Sequence, residues 1–148
     1  MDKERVARGY CAGVFDLIHV GHVRLFKRAR EKCDYLIVGV LVDELVEYHK
    51  GKPPVVPFEE RLEMVSSIKY VDEAVKVTWD NLPKINAWNK CHYDLFFSGD
   101  DYNGNPVWEE ERRQLNEVGA DIFFFSYTEE TSSTKIKKDI ANNNLLHG

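Results

Sequence analysis

Two histidines three positions apart, His19 and His22, lie in the segment 9–22, GYCAGVFDLIHVGH. Apolar residues at 6–14 read as a short buried strand, and 20–32 has helical periodicity, with Val23, Leu25, Phe26 and Ala29 on one side. The imidazoles therefore fall at a helix N-terminus, where backbone N–H groups and the helix dipole favour an anion. Gly21 between them leaves room for a ligand. Similar groups recur along the chain. Lys50 and Lys52 adjoin the proline-rich stretch 51–57, GKPPVVP, and a basic side chain on a mobile loop can close over a polyphosphate. Thr131, Ser132, Ser133, Thr134 and Lys135 put hydroxyls and a cation at another helix start.

Together these groups fit a triphosphate site that performs nucleotidyl transfer. A phosphate oxygen of an acceptor attacks the α-phosphorus of a nucleotide, and pyrophosphate leaves. The protein has to orient the reactants and stabilise charge on the α-phosphate and bridging oxygens, with no covalent intermediate. Protonated or hydrogen-bond-donating imidazoles and lysines suit that task. The acceptor phosphate is already ionised near neutral pH, so no general base is required.

Taken singly, each group has a plainer reading. An HxxH pair can bind metal, but this one lacks the intervening Glu and third ligand of a zinc hydrolase, so no metal site is expected. The lysines can be solvated surface charges, the Ser/Thr run a helix cap, the GDD of 99–101 an acidic turn, and Trp79 ordinary packing. What sets these plainer readings aside is where the groups sit on the fold.

Residues 35–42, YLIVGVLV, form a continuous β-branched run of the kind covered on both faces in a parallel sheet. The stretch 43–51 turns polar and reads as a connection. A helix is expected over 58–70, a strand over 71–78, and a helix from Pro83 to about Lys90. Strands follow at 93–98 and 121–127, with a charged helix over 107–118 between them and a last helix over 134–142. This alternation predicts one α/β domain over 1–148, with a parallel sheet of about five strands and helices on both faces. Ligands bind outside the carboxyl ends of such strands. That rule gathers 14–22, 43–52, 78–79, 98–101 and 127–134 at one edge.

A chain of 148 residues with 43% hydrophobic and 30% charged residues has the composition of a globular domain. Its net charge of −5 argues against a general nucleic-acid binder. No apolar run approaches the roughly 20 residues that span a bilayer. The charged start MDKERVARG is unlike a signal peptide, so a cytoplasmic setting without membrane insertion is expected. Cys11, Cys33 and Cys91 are widely spaced and read as free, mostly buried thiols.

The segment 13–22, GVFDLIHVGH, resembles the GxFDxxHxGH signature of the cytidylyltransferases that make CDP-alcohols. YLIVGVLVDE at 35–44 is similar to that family's second strand and its Asp. Lys50 and Lys52 match the loop lysines, Glu60-Arg61 the E-R helix, and KYVDE at 69–73 the RYVDE block. Thr128-Glu129 and Ser132-Ser133-Thr134-Lys135-Ile136 resemble the RTEGISTTKI block. The resemblance covers nearly the whole chain.

It implies a Rossmann-like three-layer sandwich, CTP with Mg2+ and no tightly held cofactor, a small alcohol phosphate as acceptor, and a homodimer. Val14, Phe15, His19, Gly21 and His22 would lie along CTP, with Lys52, Thr128, Ser132, Ser133 and Thr134 also on the nucleotide. His19 and His22 would stabilise the transition state, and Lys50 would face the acceptor phosphate. Asp16, on the acceptor side, would support its loop rather than react. Trp79, Gly99 and Asp100 would lie near the acceptor or the nucleoside. The GDD loop resembles the glycerol-3-phosphate enzymes, the first expectation, whereas HKGKPPV at 49–55 resembles the ethanolamine-phosphate ones; phosphocholine is a further acceptor of the same kind. The family's Arg in RTEGIS is Tyr127 here, its Gly is Glu130, and the Arg of RYVDE is Lys69. The missing Arg at Tyr127 keeps open a non-catalytic nucleotide-binding module, and because HxGH alone is shared with adenylyltransferases, an ATP-dependent adenylyltransferase is the alternative enzyme.

Overall fold

A computed structural model of the chain describes residues 5–126. The elements are β1 (Val6–Gly13), α1 (Val20–Arg30), β2 (Cys33–Leu41), α2 (Asp43–Lys50), α3 (Phe58–Ser66), β3 (Glu73–Val77), α4 (Lys84–Cys91), β4 (Leu95–Gly99), α5 (Pro106–Glu117) and β5 (Asp121–Phe125). The strands form one sheet in the order β3-β2-β1-β4-β5, and every pairing is parallel.

Side-chain alternation divides the core into two layers. Cys11, Leu36, Val38, Val40 and Phe97 point to one face and pack with Phe26 and Ala29 of α1 and Val65 of α3. Tyr10, Ile37, Phe96 and Ile122 point to the other and pack with Ala87 of α4 and Leu115 of α5. The result is the expected three-layer α/β sandwich. Gly39 of β2 lets two neighbours come close: a Cβ there would lie 2.5 Å from Tyr10 Oη and 2.6 Å from Val77 Cγ2.

Three elements differ from the sequence reading. The polar stretch after β2 is a helix, α2, with Asp43 and Glu44 in its first turn and His49 and Lys50 in its last, each matched to the dipole at its end. Gly51 terminates it at φ 77°, and its N–H donates to Glu47 O at 2.8 Å. The helix expected over 58–70 stops at Ser66. The following strand starts at Glu73, because the Asp72 carboxylate is engaged by Leu36 N at 2.7 Å and Arg30 Nε at 2.8 Å. The helix over 134–142 lies outside the described residues.

Candidate active site

The sheet order places β1 in the centre, with β2 and β3 on one side and β4 and β5 on the other. The chain therefore reverses its direction of progress across the sheet between β1 and β4. In open parallel sheets the ligand crevice lies where the loops leaving two such strands turn to opposite faces, outside their carboxyl ends. One loop carries Val14 to His19; the other follows Gly99 and begins with a 3-10 turn, Asp100–Tyr102.

The β1–α1 loop holds unusual backbone. Phe15 has φ 52° and Leu17 φ 57°, the left-handed region that L side chains seldom occupy. Such strain persists where the surroundings hold it, and here two buried charged side chains do so. Asp16 is 4% exposed, and its carboxylate accepts from Val55 N at 2.8 Å and Val56 N at 2.9 Å. Arg61 of α3 is 1% exposed. Its Nε donates to Val56 O at 2.8 Å, one Nη to Val14 O at 2.7 Å and the other to Asp43 Oδ1 at 2.6 Å. The Val56 residue is thus gripped by Asp16 at its N–H and by Arg61 at its carbonyl. The same two side chains join the histidine loop, the start of α2 and the end of the proline-rich loop.

His19 is the N-cap of α1, and the two histidines form a reciprocal capping box. Gly21 N donates to His19 Nδ1 at 3.0 Å, and His19 N donates to His22 Nδ1 at 3.3 Å. Each ring accepts at Nδ1, so in the neutral tautomer each carries its proton on Nε2. The rings stack with centroids 3.9 Å apart. Phe15, itself packed on Phe26, meets His22 edge-on at 5.5 Å. Burial, and secondarily the neighbouring His19, push His22 down from 6.5 to about 4. At neutral pH His22 is therefore an uncharged N–H donor rather than a cation. No acidic residue occupies the first turn of α1, so the positive end of its dipole is not offset locally.

The remaining expected residues reach the same sheet edge by other routes. Lys50 ends α2, and Lys52 follows two positions on; both are exposed. Trp79, past β3, donates from Nε1 to Glu44 Oε1 at 3.2 Å. Gly99 ends β4 with open space where a Cβ would stand, and Asp100 is exposed beside it. Thr128, Ser132, Ser133 and Thr134 lie outside the described residues, as does Tyr127. Both Asp16 oxygens accept backbone N–H groups, which suits a strut rather than a contact to acceptor. The sequence reading noted Arg61 without a role; its buried fork on Val14, Val56 and Asp43 emerges only in three dimensions. Among the described residues no three His, Cys, Asp or Glu side chains converge as a metal cluster.

The cytidylyltransferase-like family model matches residues 10–139. The ethanolamine-phosphate cytidylyltransferase of Mus musculus is 38% identical over 74% of this chain, which spans 28% of that longer protein. The glycerol-3-phosphate cytidylyltransferase of Staphylococcus aureus is 36% identical over 86% of this chain and 90% of its own length. An FAD synthase of Thermococcus sibiricus is 31% identical over 95% of this chain and 94% of its own. A solved lipopolysaccharide core biosynthesis protein from Thermoplasma volcanium shares the fold, with a TM-score of 0.68 at 24% identity over 84% of this chain and 98% of that one. With a family match that begins inside β1 and continues past β5, this chain belongs to the cytidylyltransferase-like family and is a nucleotidyltransferase.

Proposed function

We propose that this protein transfers CMP from CTP to a small alcohol phosphate, releasing pyrophosphate and a CDP-alcohol. The observation that carries the reading is the stacked pair His19 and His22, capping α1 at the crevice with both Nδ1 atoms occupied. That arrangement supports two Nε2–H donors aimed at phosphate oxygens, and His22 stays neutral across the physiological range. Donors fixed before the reaction stabilise charge that develops in the transition state without reorganising. The acceptor phosphate oxygen forms a bond to the α-phosphorus, the α–β bridging bond breaks, and pyrophosphate departs with its electron pair.

In this reading Val14, Phe15, Gly21 and Lys52 line the nucleotide, Gly99 and Asp100 border the nucleoside, and Lys50 and Trp79 face the acceptor. Thr128, Ser132, Ser133 and Thr134 complete the nucleotide side. Mg2+ would come with the triphosphate, held chiefly by phosphate oxygens and water as that ion prefers, and would neutralise part of the charge that the transfer develops. Glycerol-3-phosphate is favoured by the GDD loop and by the full-length relative of that name; phosphoethanolamine is favoured by the 49–55 segment and the relative of that name. A homodimer in the cytoplasm completes the proposal; among the described residues no helix is long and apolar enough to cross a membrane.

A second reading, adenylyl transfer from ATP, is favoured by the FAD synthases that match over almost their whole length. The deciding experiment is pyrophosphate release with CTP or ATP against glycerol-3-phosphate, phosphoethanolamine and phosphocholine. The proposal expects turnover with CTP. Release with ATP alone overturns the choice of base, and CTP binding without release on any acceptor overturns catalysis.

A further inference from the structure

Between α4, α5 and the sheet lies a buried lysine that the transfer chemistry leaves unused. Lys84 opens α4 and is 7% exposed. Its Nζ pairs with Glu111 Oε1 of α5 at 2.9 Å, and stands 3.4 Å from the centre of the Trp108 ring and 5.0 Å from that of Phe96. Its backbone is tied down as well: the N–H donates to Glu111 Oε2 at 3.2 Å, and the carbonyl accepts from Tyr93 Oη at 2.7 Å. Burial pulls the pKa of the ammonium below its ordinary value, and Glu111 opposes that shift.

Trp108 carries the other half of the arrangement. The Tyr102 ring lies on it, with centroids 4.5 Å apart and planes at 1°. No ammonium fits between parallel rings at that spacing, so Lys84 and Tyr102 take opposite faces of the indole. A cation on one face draws π density toward itself and eases the approach of a second ring to the other. Tyr102 closes the 3-10 turn Asp100–Tyr102, and its carbonyl accepts from Asn105 N at 3.0 Å. Every residue from 99 to 107 is exposed. Such a run has little buried area to hold it and opens at low cost. The ring contact on Trp108 pins its middle to the packed layer, where Phe96 and Phe124 flank the indole at 5.9 and 6.0 Å.

We propose that Lys84 and Tyr102 are positioning residues: acting through Trp108, they hold the segment 99–101 at the crevice and so set the affinity for the nucleotide, touching no substrate themselves. The inference rests on the transferase reading above, in which Gly99 and Asp100 border the nucleoside. The topology separates this effect from the acceptor. The pinned turn leaves β4, whereas Lys50 and Trp79 follow β2 and β3 on the other side of β1.

The test varies the nucleotide, CTP or ATP, in pyrophosphate release by the full chain at saturating glycerol-3-phosphate or phosphoethanolamine. Alongside, NMR follows exchange of the Asn103 and Asn105 amides, which bond to Asp100 O and Tyr102 O. Tyr102→Ala removes an exposed ring and leaves the core intact. It should raise the nucleotide KM about two- to tenfold, the span of one aromatic pair, with kcat and the acceptor KM near wild type. It should also speed both amides while those of β1 stay slow. Tyr102→Phe keeps the ring and should match wild type. Lys84→Met with Glu111→Gln removes the ammonium without stranding the carboxylate; it should act in the same direction and add little to Tyr102→Ala. An unchanged nucleotide KM in Tyr102→Ala overturns the inference, while turnover by wild type keeps the transferase reading. Faster exchange in β1 of the Lys84→Met, Glu111→Gln protein assigns the lysine to the core alone and overturns its role. If wild type releases no pyrophosphate, the transferase reading fails, and calorimetric titration with CTP and ATP decides the inference by itself. Weaker binding by Tyr102→Ala supports it, and equal affinity overturns it.

Discussion

Replacing Arg61 with Met keeps most of the side chain's volume and removes its fork. The wild-type guanidinium, 1% exposed, satisfies Val14 O, Val56 O and Asp43 at 2.6–2.8 Å. Asp43 is 45% exposed and can exchange its partner for water. The two carbonyls are part-buried, and each loses a charge-assisted bond at a cost of about 1–3 kcal/mol. Relief of the buried guanidinium's desolvation offsets part of that sum. The expected net loss is about 3 kcal/mol, a large share of the ~5–15 kcal/mol that stabilises a domain. Urea denaturation should show it as a fall in midpoint on the order of 1–3 M, for a slope of about 1–3 kcal/mol/M. Asp16→Asn should be non-additive with Arg61→Met by about 1 kcal/mol, because both side chains grip Val56. A midpoint for Arg61→Met within roughly 0.3 M of wild type would refute this reasoning, since m scales with exposed surface and would not mask the change. Strict additivity would separate the two side chains.

The burial of neutral His22 links protonation to stability. Its folded value of about 4 lies below the unfolded 6.5, so the unfolded chain binds more protons between those values. The contribution is complete above pH 6.5 and is lost as pH falls toward 4. Relative to wild type, His22→Asn should show a shallower loss of stability over that window in denaturation at several pH values. Gly39→Ala drives a methyl into Tyr10 and Val77, and overpacking of about 2 kcal/mol should lower the melting temperature by roughly 4–8 °C. Lys50→Gln should raise the acceptor KM about tenfold with the CTP KM nearly constant, the pattern of an acceptor-phosphate contact.

The sheet was legible because β2 and β4 are continuous apolar runs and the periodicity alternates between strand and helix. The histidines were legible as a helix start because the helical pattern begins directly after His19. Helix α2 escaped notice because its buried pair, Leu45 and Val46, is adjacent and shows no repeat over eight residues. Its caps were visible: Asp43-Glu44 at the start and Gly51 past the end. The left-handed backbone at Phe15 and Leu17 left no trace in residue type, since neither is glycine. Arg61 was visible only as half of the Glu60-Arg61 match to the E-R helix, and only tertiary contact shows its fork closed on three elements. Tyr48 of α2 and Trp79 in the turn after β3, with ring centroids 4.9 Å apart, become neighbours only once the sheet brings those ends together.

The account rests on the two imidazoles as fixed donors to the reacting phosphates. The most direct measurement is kcat for CTP-dependent pyrophosphate release by His22→Ala, alongside its affinity for CTP. Loss of one preorganised donor should lower kcat by about 10²–10³, with CTP affinity changed far less. Turnover equal to wild type would contradict the account.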